Sequence, residues 1–184
     1  QPLNFKQELV GVFGYPVAEN PTQAMIEPAF KEIGLDWRYL TVEVRPDQLA
    51  DAVKGARAMN WRGFNCTIPH KIAVIPFLDR LNPAAEIIGA VNCVINRDGV
   101  LIGDNTDGKG FLQSLVTIRG IKGLNAVILG AGGAARAIAT ELALAHAARI
   151  TIVNRSPEKA QSLVSLLNDK TSASAQFAKW EGEY

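Results

Sequence analysis

The sequence is poor in the residues that stabilise small secreted proteins or bind metal ions. Its 184 residues include two cysteines, Cys66 and Cys93, and two histidines, His70 and His146. Two cysteines are too few for a disulfide scaffold, and neither has a partner at metal-ligand spacing, so no metal site is expected. Each lies in an apolar, strand-like stretch, which predicts two small buried core residues in a reducing cytoplasm. Both histidines are expected to be structural or solvated.

The sequence also lacks long apolar runs and an excess of charge of one sign. No apolar run approaches about 18 residues, so we expect no transmembrane helix. Residues 1–7 are mostly polar and contain no signal-peptide core. The formal net charge of +1 favours neither a nucleic acid nor a membrane surface as a partner. With 48% apolar and 20% charged residues, the composition is ordinary for a soluble globular protein.

Short apolar runs alternate with helical patterns along the chain. This alternation predicts an α/β fold with a largely parallel sheet whose strands are covered on both faces. The predicted strands are Glu8–Gly14, Trp37–Val44, Gly63–Cys66, Ala90–Ile95, Leu101–Gly103, Ala126–Leu129, Ile150–Val153 and a further short one, Ala175–Ala178. The predicted helices are Pro46–Met59, Asp107–Ile118, Gly133–His146, Pro157–Leu167 and Pro21–Ile33, the last with a kink or restart at Pro28. The tripeptide Arg97-Asp98-Gly99 predicts a tight hairpin turn.

The pattern of elements divides the chain into two α/β units. We predict one unit over residues 1–105 and part of a second over residues 106–184, with the boundary near the helix that follows Asn105. A second break at Gly120-Ile121-Lys122-Gly123 precedes a strong new strand. A complete doubly wound nucleotide-binding sheet has about six strands, whereas the sequence after Gly123 predicts at most three. The second unit is therefore expected to be incomplete.

A glycine-rich turn follows the strand Ala126–Leu129 and opens an alanine-rich helix. The turn consists of Gly130, Ala131, Gly132, Gly133, Ala134 and Ala135. This is the G-x-G-x-x-A fingerprint of dinucleotide sites in the context that the fingerprint requires. The second glycine leaves room for a pyrophosphate, and the start of the helix presents free N–H groups and a positive dipole end. We predict a cofactor site here; the alternative is a plain strand–helix turn.

The next strand ends in Asn154-Arg155-Ser156, and this ending bears on the choice of cofactor. An NAD site usually has an acidic residue here, which accepts a hydrogen bond from the ribose 2′-OH. This sequence has none. Arg155 can instead pair with a 2′-phosphate, and Ser156 can donate a hydrogen bond to it. NADP is therefore favoured over NAD; the alternative is a solvated arginine beside a helix cap.

Further blocks of sequence, together with the cofactor turn, resemble one enzyme family. The blocks are Phe64-Asn65-Cys66-Thr67-Ile68-Pro69-His70-Lys71, Gly89-Ala90-Val91-Asn92 and Asn105-Thr106-Asp107-Gly108. In order and spacing they are similar to the N-x-T-[IV]-P-x-K, G-A-V-N and N-T-D-G stretches of the shikimate/quinate dehydrogenase family, and Asn154-Arg155-Ser156 is similar to its N-R-[ST]. The resemblance runs from about Val10 to Ser156. It implies an N-terminal α/β substrate domain followed by a Rossmann-like NADP-binding domain, truncated in this chain.

The resemblance implies an enzyme of aromatic amino acid biosynthesis that reversibly reduces 3-dehydroshikimate to shikimate with NADPH. It implies that Lys71 is the catalytic lysine and that Asp107 is the carboxylate paired with it. A lysine cation can stabilise the alkoxide that develops at the ketone oxygen and can supply its proton. Asp107 would position Lys71 and bind a substrate hydroxyl. The resemblance also implies substrate contacts by Thr67 and Asn92, with Asn65 beside them.

The sequence departs from the family after its first strand. The family usually has Ser-x-Ser there, and this chain has Asn20 and Thr22. A hydroxyl and an amide N–H could still bind a carboxylate, but Glu19 replaces a common histidine and brings negative charge near an anionic substrate. Asn20 and Pro21 also fit the N-cap and first position of a helix, so a capping role and a substrate role are both open.

These departures leave the function open in two directions. The chain is interpreted either as an enzyme of shikimate, quinate or another polyol acid, or as a non-catalytic homologue that binds a nucleotide or another ligand. Its origin is equally open between a truncated protein, a degenerate short homologue and a portion of a fusion with a dehydroquinase domain. Because the family's later nicotinamide-side residues have no counterpart here, we expect weak turnover, or none, from this chain alone.

Overall fold

The computed structural model describes residues 5–181, which form two α/β units. The first unit contains β1 (Glu8–Gly14), α1 (Thr22–Glu32), β2 (Trp37–Glu43), α2 (Leu49–Ala58), β3 (Gly63–Cys66), α3 (His70–Ala73), β4 (Arg80–Leu81), β5 (Cys93–Arg97) and β6 (Val100–Asp104). The second contains α4 (Pro83–Ile88), α5 (Asp107–Val116), β7 (Asn125–Leu129), α6 (Gly133–Leu144), β8 (Arg149–Asn154), α7 (Pro157–Lys170) and β9 (Ser174–Lys179). The predicted α/β alternation is confirmed.

The six-stranded sheet of the first unit is mixed. Its order is β2-β1-β3-β5-β6-β4, in which β1 pairs with β2 and β3 in parallel, and β5 pairs antiparallel with β3 and β6. The antiparallel pair β5–β6 arises from the predicted hairpin, since Asp98 and Gly99 both have positive φ, at 52° and 88°, as a two-residue type I′ turn requires. Because β4 also pairs with β6 in parallel, three of the five pairings among the described strands are parallel, and the expected parallel pairing is interrupted only at β5.

Strand β1 contributes Val12 and Phe13 to the core of the first unit, and both side chains are buried. Phe13 stacks on Phe64 of β3 with ring centroids 4.6 Å apart, and it meets Trp61 at 5.7 Å. Cys66 is buried, as predicted, and burial raises the pKa of its thiol to about 12. Cys93, the first residue of β5, is only partly buried, so the prediction of a buried core residue is wrong for it. This packing fixes β1 and β3, whose carboxyl ends carry the candidate site.

Helix α1 follows β1 after a short loop and begins at Thr22, one residue later than predicted. The Oδ1 atom of Asn20 accepts a hydrogen bond from the backbone N–H of Thr22 at 3.0 Å, but the N-cap residue is Pro21, not Asn20 as the sequence predicted. The helix contains Pro28 and continues to Glu32, so the restart that was one of the two predicted alternatives does not occur, and the kink stays a prediction. The missing N–H of this proline therefore does not end the helix.

The second unit is built on the parallel sheet β7-β8-β9. Its apolar core joins β8 to the helices on either side through Ile150, Ile152, Leu142, Leu163 and Leu167, which are all buried. The short predicted strand near Ala175 is confirmed as β9. Within residues 5–181, no helix is long and apolar enough to cross a bilayer.

The division between the units falls between Asp104 and Asn105, except for one helix. Helix α4 groups with the second unit, whereas the sequence boundary of 1–105 and 106–184 placed it in the first. The physical reason is its packing on α6, where Arg136 Nη2 donates to the carbonyl oxygen of Ile87 at 3.4 Å. A six-residue helix carries too little periodicity to reveal such a partner in the sequence.

Close packing of α5 on α6 gives the first prediction. A Cβ atom on Gly108 would lie 2.4 Å from the carbonyl oxygen of Ala137, whereas one on Gly110 would meet no atom within 4 Å. Gly108→Ala is expected to lower the free energy of unfolding by about 1–3 kcal/mol through overpacking. The matched control Gly110→Ala is expected to raise it by about 0.5–1 kcal/mol through helix propensity. Urea unfolding measures both changes, and equal effects would contradict this packing.

Candidate functional site

Lys71 lies on the one-turn helix α3, directly after β3, and its backbone is held on two sides. Its neighbour His70 is fully buried and donates from Nε2 to the carbonyl oxygen of Val44 at 2.7 Å. The carbonyl oxygen of Lys71 accepts a hydrogen bond from the N–H of Val91 at 2.7 Å. The structural role expected of His70 is confirmed, and it consists of anchoring the turn that carries Lys71.

Three further predicted residues lie beside this turn. The Nδ2 atom of Asn65 donates to the carbonyl oxygen of Asn92 at 3.1 Å, and the N–H of Cys66 donates to the same oxygen at 2.9 Å. Thr67 packs over Gly14, where an added Cβ would come within 2.4 Å of the threonine Cγ2. The carboxyl ends of β1 and β3 therefore bring Asn65, Thr67 and Asn92 together around the turn of Lys71.

Tyr39 joins this group, although the sequence interpretation missed it. Its hydroxyl donates to Asn65 Oδ1 at 2.8 Å. Burial raises the pKa of this hydroxyl to about 12, against a smaller lowering by a hydrogen bond from Thr22. Tyr39 therefore connects two predicted substrate residues, Thr22 and Asn65. A tyrosine among the apolar residues of β2 is a signal for such a contact, because a buried phenol needs a hydrogen-bond partner.

The link through Tyr39 gives a second prediction. Tyr39→Phe leaves Asn65 Oδ1 without its donor, so we expect the KM for a substrate that contacts Asn65 to rise about 5-fold with a smaller change in kcat. The matched control is Asn96→Ala, which removes hydrogen bonds to Trp61 and Gly99, both 2.8 Å long, from the β5–β6 hairpin of the same unit. Both variants should lose stability, but only Tyr39→Phe should change KM. Steady-state kinetics measure the change in KM, and thermal unfolding measures the loss of stability. Equal KM shifts in the two variants would show that Tyr39 has only a structural role in the core.

A cavity of about 460 Å³ opens beside Thr67. It is lined by Pro16, Val17, Ala18, Glu19, Asn20 and Thr67. Glu19 is the charged side chain in this lining, and no cation accompanies it there. Since Asn20 Oδ1 is engaged by the N–H of Thr22, the Nδ2 donors of Asn20 are the groups that it offers to a ligand. The cavity therefore suits hydroxyl and carbonyl groups better than an anion.

Asp107 belongs to the second unit, where it is the first residue of α5. Its N–H donates to Asn105 Oδ1 at 3.2 Å, and Asn105 is buried. An aspartate in the first turn is favoured by the helix dipole, which explains part of its placement without any ligand. Gly108 follows it at the close contact with α6, so the start of α5 is fixed relative to the helix of the glycine turn.

The glycine turn has the geometry that a pyrophosphate requires. Gly130 has a φ of 109°, which favours glycine, and its N–H donates to the carbonyl oxygen of Val153 at 2.7 Å. Gly132 and Gly133 are exposed, and a Cβ on either would meet no atom within 4 Å. Open space therefore faces the first N–H groups of α6, as in the phosphate sites of helix N-termini. The residues present fit a dinucleotide.

A second feature of this unit is a cavity of about 320 Å³ at the carboxyl ends of β8 and β9. It is lined by Asn154, Arg155, Pro157, Phe177, Lys179, Trp180 and Glu181. Asn154 Nδ2 donates to the carbonyl oxygen of Ser156 at 2.9 Å, and Ser156 Oγ donates to Glu158 at 3.3 Å. Arg155 lines this cavity, and its contact with the adenosine end of a cofactor stays a prediction.

One unit has a mixed α/β sheet. The other has parallel strands and a glycine turn that opens a helix. This combination defines a two-domain protein of the dinucleotide-binding class. The family model described as Shikimate dehydrogenase substrate binding domain matches residues 12–94. The model described as Shikimate / quinate 5-dehydrogenase matches residues 114–182. Together these models match more than half of the chain. The chain belongs to the shikimate dehydrogenase family.

Individual relatives agree with this membership. Shikimate dehydrogenase (NADP(+)) of Desulforamulus reducens is 45% identical over 97% of this chain and 62% of its own length. The crystal structure of 5-ketofructose reductase of Gluconobacter sp. strain CHM43 has a TM-score of 0.95 and 56% identity, over 98% of this chain and 65% of that one. Shikimate 5-dehydrogenase of Listeria monocytogenes, in complex with shikimate and NAD, has a TM-score of 0.91 and 40% identity, over 97% and 63%. The chain spans about three fifths of the length of the curated relatives it matches.

Proposed function

We propose that this chain is the substrate-binding and nucleotide-binding portion of an NADP-dependent oxidoreductase that reversibly reduces 3-dehydroshikimate to shikimate. The observation that carries this proposal is the grouping of Asn65, Thr67 and Asn92 around the anchored turn of Lys71. The Desulforamulus relative is named for this reaction, and the Listeria relative was crystallised with shikimate. Both support the same assignment. The reaction would belong to aromatic amino acid biosynthesis, and a reducing cytoplasm suits two thiols of which neither forms a disulfide among the described residues.

In this proposal Lys71 acts at the oxygen of the substrate ketone. The chemistry that NADPH would supply when bound is a hydride for the carbonyl carbon. The ammonium group of Lys71 stabilises the developing negative charge on the oxygen and donates a proton to it. The anchored backbone of α3 keeps this group in a fixed position, which matters because proton donation requires hydrogen-bond reach. Thr67 and Asn92 contact the substrate, and Asp107 would take the role of the paired carboxylate that the family resemblance implies.

The cofactor in this proposal is NADP. Gly130 to Gly133 would hold the pyrophosphate against the start of α6, and Arg155 would pair with the 2′-phosphate. The Listeria relative was crystallised with NAD, whereas the Desulforamulus relative is named for NADP(+). Asn154 stands at the end of β8 in place of an acidic residue, and an uncharged residue there does not repel a phosphate. The uncharged Asn154 therefore favours NADP over NAD.

A second substrate class is favoured by the cavity beside Thr67. Glu19 brings a carboxylate to this lining, and Asn20 and Thr22 stand where the family usually has a serine pair. The relative named 5-ketofructose reductase is 56% identical to this chain, against 45% for the Desulforamulus shikimate dehydrogenase. An uncharged polyhydroxy ketone is therefore the alternative substrate. It would use the same hydride chemistry and the same Lys71.

Parallel assays of two ketones distinguish the candidates. The complete gene product that contains this chain is supplied with NADPH and either 3-dehydroshikimate or 5-ketofructose, and kcat/KM is measured for each. A preference for the acid supports shikimate formation, and a preference for the sugar supports the alternative. The double variant Asn20→Ser, Thr22→Ser should shift the ratio of the two kcat/KM values towards the acid. If the protein binds NADPH but oxidises it with neither ketone, the result would contradict an enzymatic function and favour a ligand-binding homologue.

A further inference from the structure

A small cavity of about 190 Å³ opens at the amino ends of β1 and β3, beside the β5–β6 hairpin. Its polar lining includes Lys6, Glu8, Trp61, Arg62 and Asp98. The candidate site lies at the other ends of the same two parallel strands. Because β1 has seven residues and spans about 20 Å, a ligand in this cavity is distinct from the substrate at the turn of Lys71.

Trp61 contributes an unused hydrogen-bond donor to the wall of this cavity. Its side chain belongs to a residue that is 6% exposed, and its Nε1 atom has no hydrogen-bond partner within residues 5–181. A Cβ added to Gly11 would lie 3.0 Å from Cζ3 of the indole, and Cζ3 stands across the six-membered ring from the carbon bonded to Nε1. The N–H is therefore turned away from Gly11. Since a buried indole N–H usually has a partner, this position lacks an acceptor.

The charged side chains of the cavity leave one cation and one anion uncompensated. The carboxylate of Glu8 lies 3.5 Å from Lys6 Nζ and 3.5 Å from Arg62 Nε, so one carboxylate serves two cations. The carboxylate of Asp98 makes no ion pair or hydrogen bond with any residue that the structure describes. Arg62 and Asp98 therefore line one cavity without pairing with each other. A ligand with one negative and one positive charge would satisfy both.

The volume of the cavity limits this ligand to a small molecule. A space of 190 Å³ equals that of about six water molecules in the liquid, which suits an α-amino acid with a short side chain. The carboxylate and the ammonium group of such a ligand are attached to the same carbon, so one small cavity can bind both. A simple anion has no group for Asp98 and would be repelled by its carboxylate.

We propose that this cavity binds a small free α-amino acid in its zwitterionic form. Arg62 and the Nε1–H of Trp61 donate to the ligand carboxylate, and Asp98 accepts hydrogen bonds from the ligand ammonium group. The site uses neither the nicotinamide cofactor nor Lys71. It therefore stands or fails separately from the proposed oxidoreductase function.

The indole N–H provides the first test. Glycine is titrated into the isotopically labelled complete gene product, and the Nε1–H signals of the tryptophans are followed by NMR; Trp61→Phe identifies the Trp61 signal by its loss. We expect this signal to shift to saturation with glycine. Acetate and methylammonium, which each carry only one of the two charges, should bind at least about 10-fold more weakly. A Trp61 signal that does not move, or equal affinities for glycine and acetate, overturns the proposal.

A second test leaves the core intact. Asp98→Asn removes the carboxylate but keeps the hairpin, because Asn-Gly is a preferred pair in a type I′ turn. Calorimetry should show glycine binding weakened by about 10–100-fold, with the affinity for NADP unchanged. The matched control is Asp51→Asn, which alters an exposed carboxylate on α2 and should bind glycine as the parent does. Parental affinity for glycine in Asp98→Asn would show that no ammonium group binds there, and the proposal would fail.

Discussion

Lys71→Ala is expected to lower kcat by about 10²–10⁴-fold. The variant removes the cation that stabilises the developing alkoxide and the proton that completes the reduction, while the other contacts to the substrate remain. The KM for the substrate should therefore change much less than kcat. Steady-state measurement of NADPH formation by the complete gene product, from the preferred alcohol and NADP, gives both constants.

A matched variant separates this effect from a general loss of lysine charge. Lys54 lies on α2 with 79% of its side chain exposed, and its Nζ atom is 3.8 Å from Asp51. Surface pairs of this kind contribute little to stability, so Lys54→Ala should retain the kcat of the parent. Turnover of Lys71→Ala within a few-fold of that of Lys54→Ala would remove Lys71 from the mechanism.

Arg155→Ala is expected to raise the dissociation constant for NADP by about 10–100-fold, since a charge-assisted hydrogen bond contributes about 1.5–3 kcal/mol. The constant for NAD should hardly change, because NAD has no 2′-phosphate. Equilibrium titration with each cofactor measures this difference.

The control for Arg155 lies on the same strand. Arg149 is exposed at the opposite end of β8, about 17–20 Å away for a strand of this length. Arg149→Ala should leave both constants unchanged. Equal losses of NADP and NAD affinity in Arg155→Ala would show that the guanidinium supports the adenosine as a whole and does not select the 2′-phosphate.

Local sequence signals predicted those parts of the fold that depend on short-range chemistry. Strands β1 and β3 have the predicted bounds, and the hairpin at Asp98-Gly99 forms as its turn residues require. The glycine turn is in place because strand, turn and helix are consecutive in the chain. Such features need no knowledge of distant partners.

Features that depend on distant partners could not be predicted in the same way. The strand predicted over Ala90–Ile95 begins only at Cys93, because Gly89, with a φ of 68°, and the loop after it turn the chain so that Asn92 meets Asn65. Helices α3 and α4 were missed because they are too short to show a period.

The sequence predicted which residues form the candidate site, but it did not predict the hydrogen bonds that join them. Asn65 and Asn92 were assigned as a pair of neighbours, and the structure joins them by a hydrogen bond. Tyr39 was not assigned, although it connects Thr22 with Asn65, because it lies 26 residues before Asn65 in the chain. Contacts over such separations follow from the pairing of strands, which one sequence does not specify.

The central claim is that this protein transfers a hydride from NADPH to the ketone of a hydroxylated substrate at the site of Lys71. Its most direct test is the transfer of deuterium from NADPH that carries deuterium at the reactive position of the nicotinamide. The complete gene product is incubated with this cofactor and the preferred ketone, and the product is analysed by mass spectrometry and NMR. The account predicts a single deuterium on the new carbinol carbon and almost no labelled product with Lys71→Ala. Unlabelled product, or label incorporation by Lys71→Ala at the rate of the parent, would contradict it.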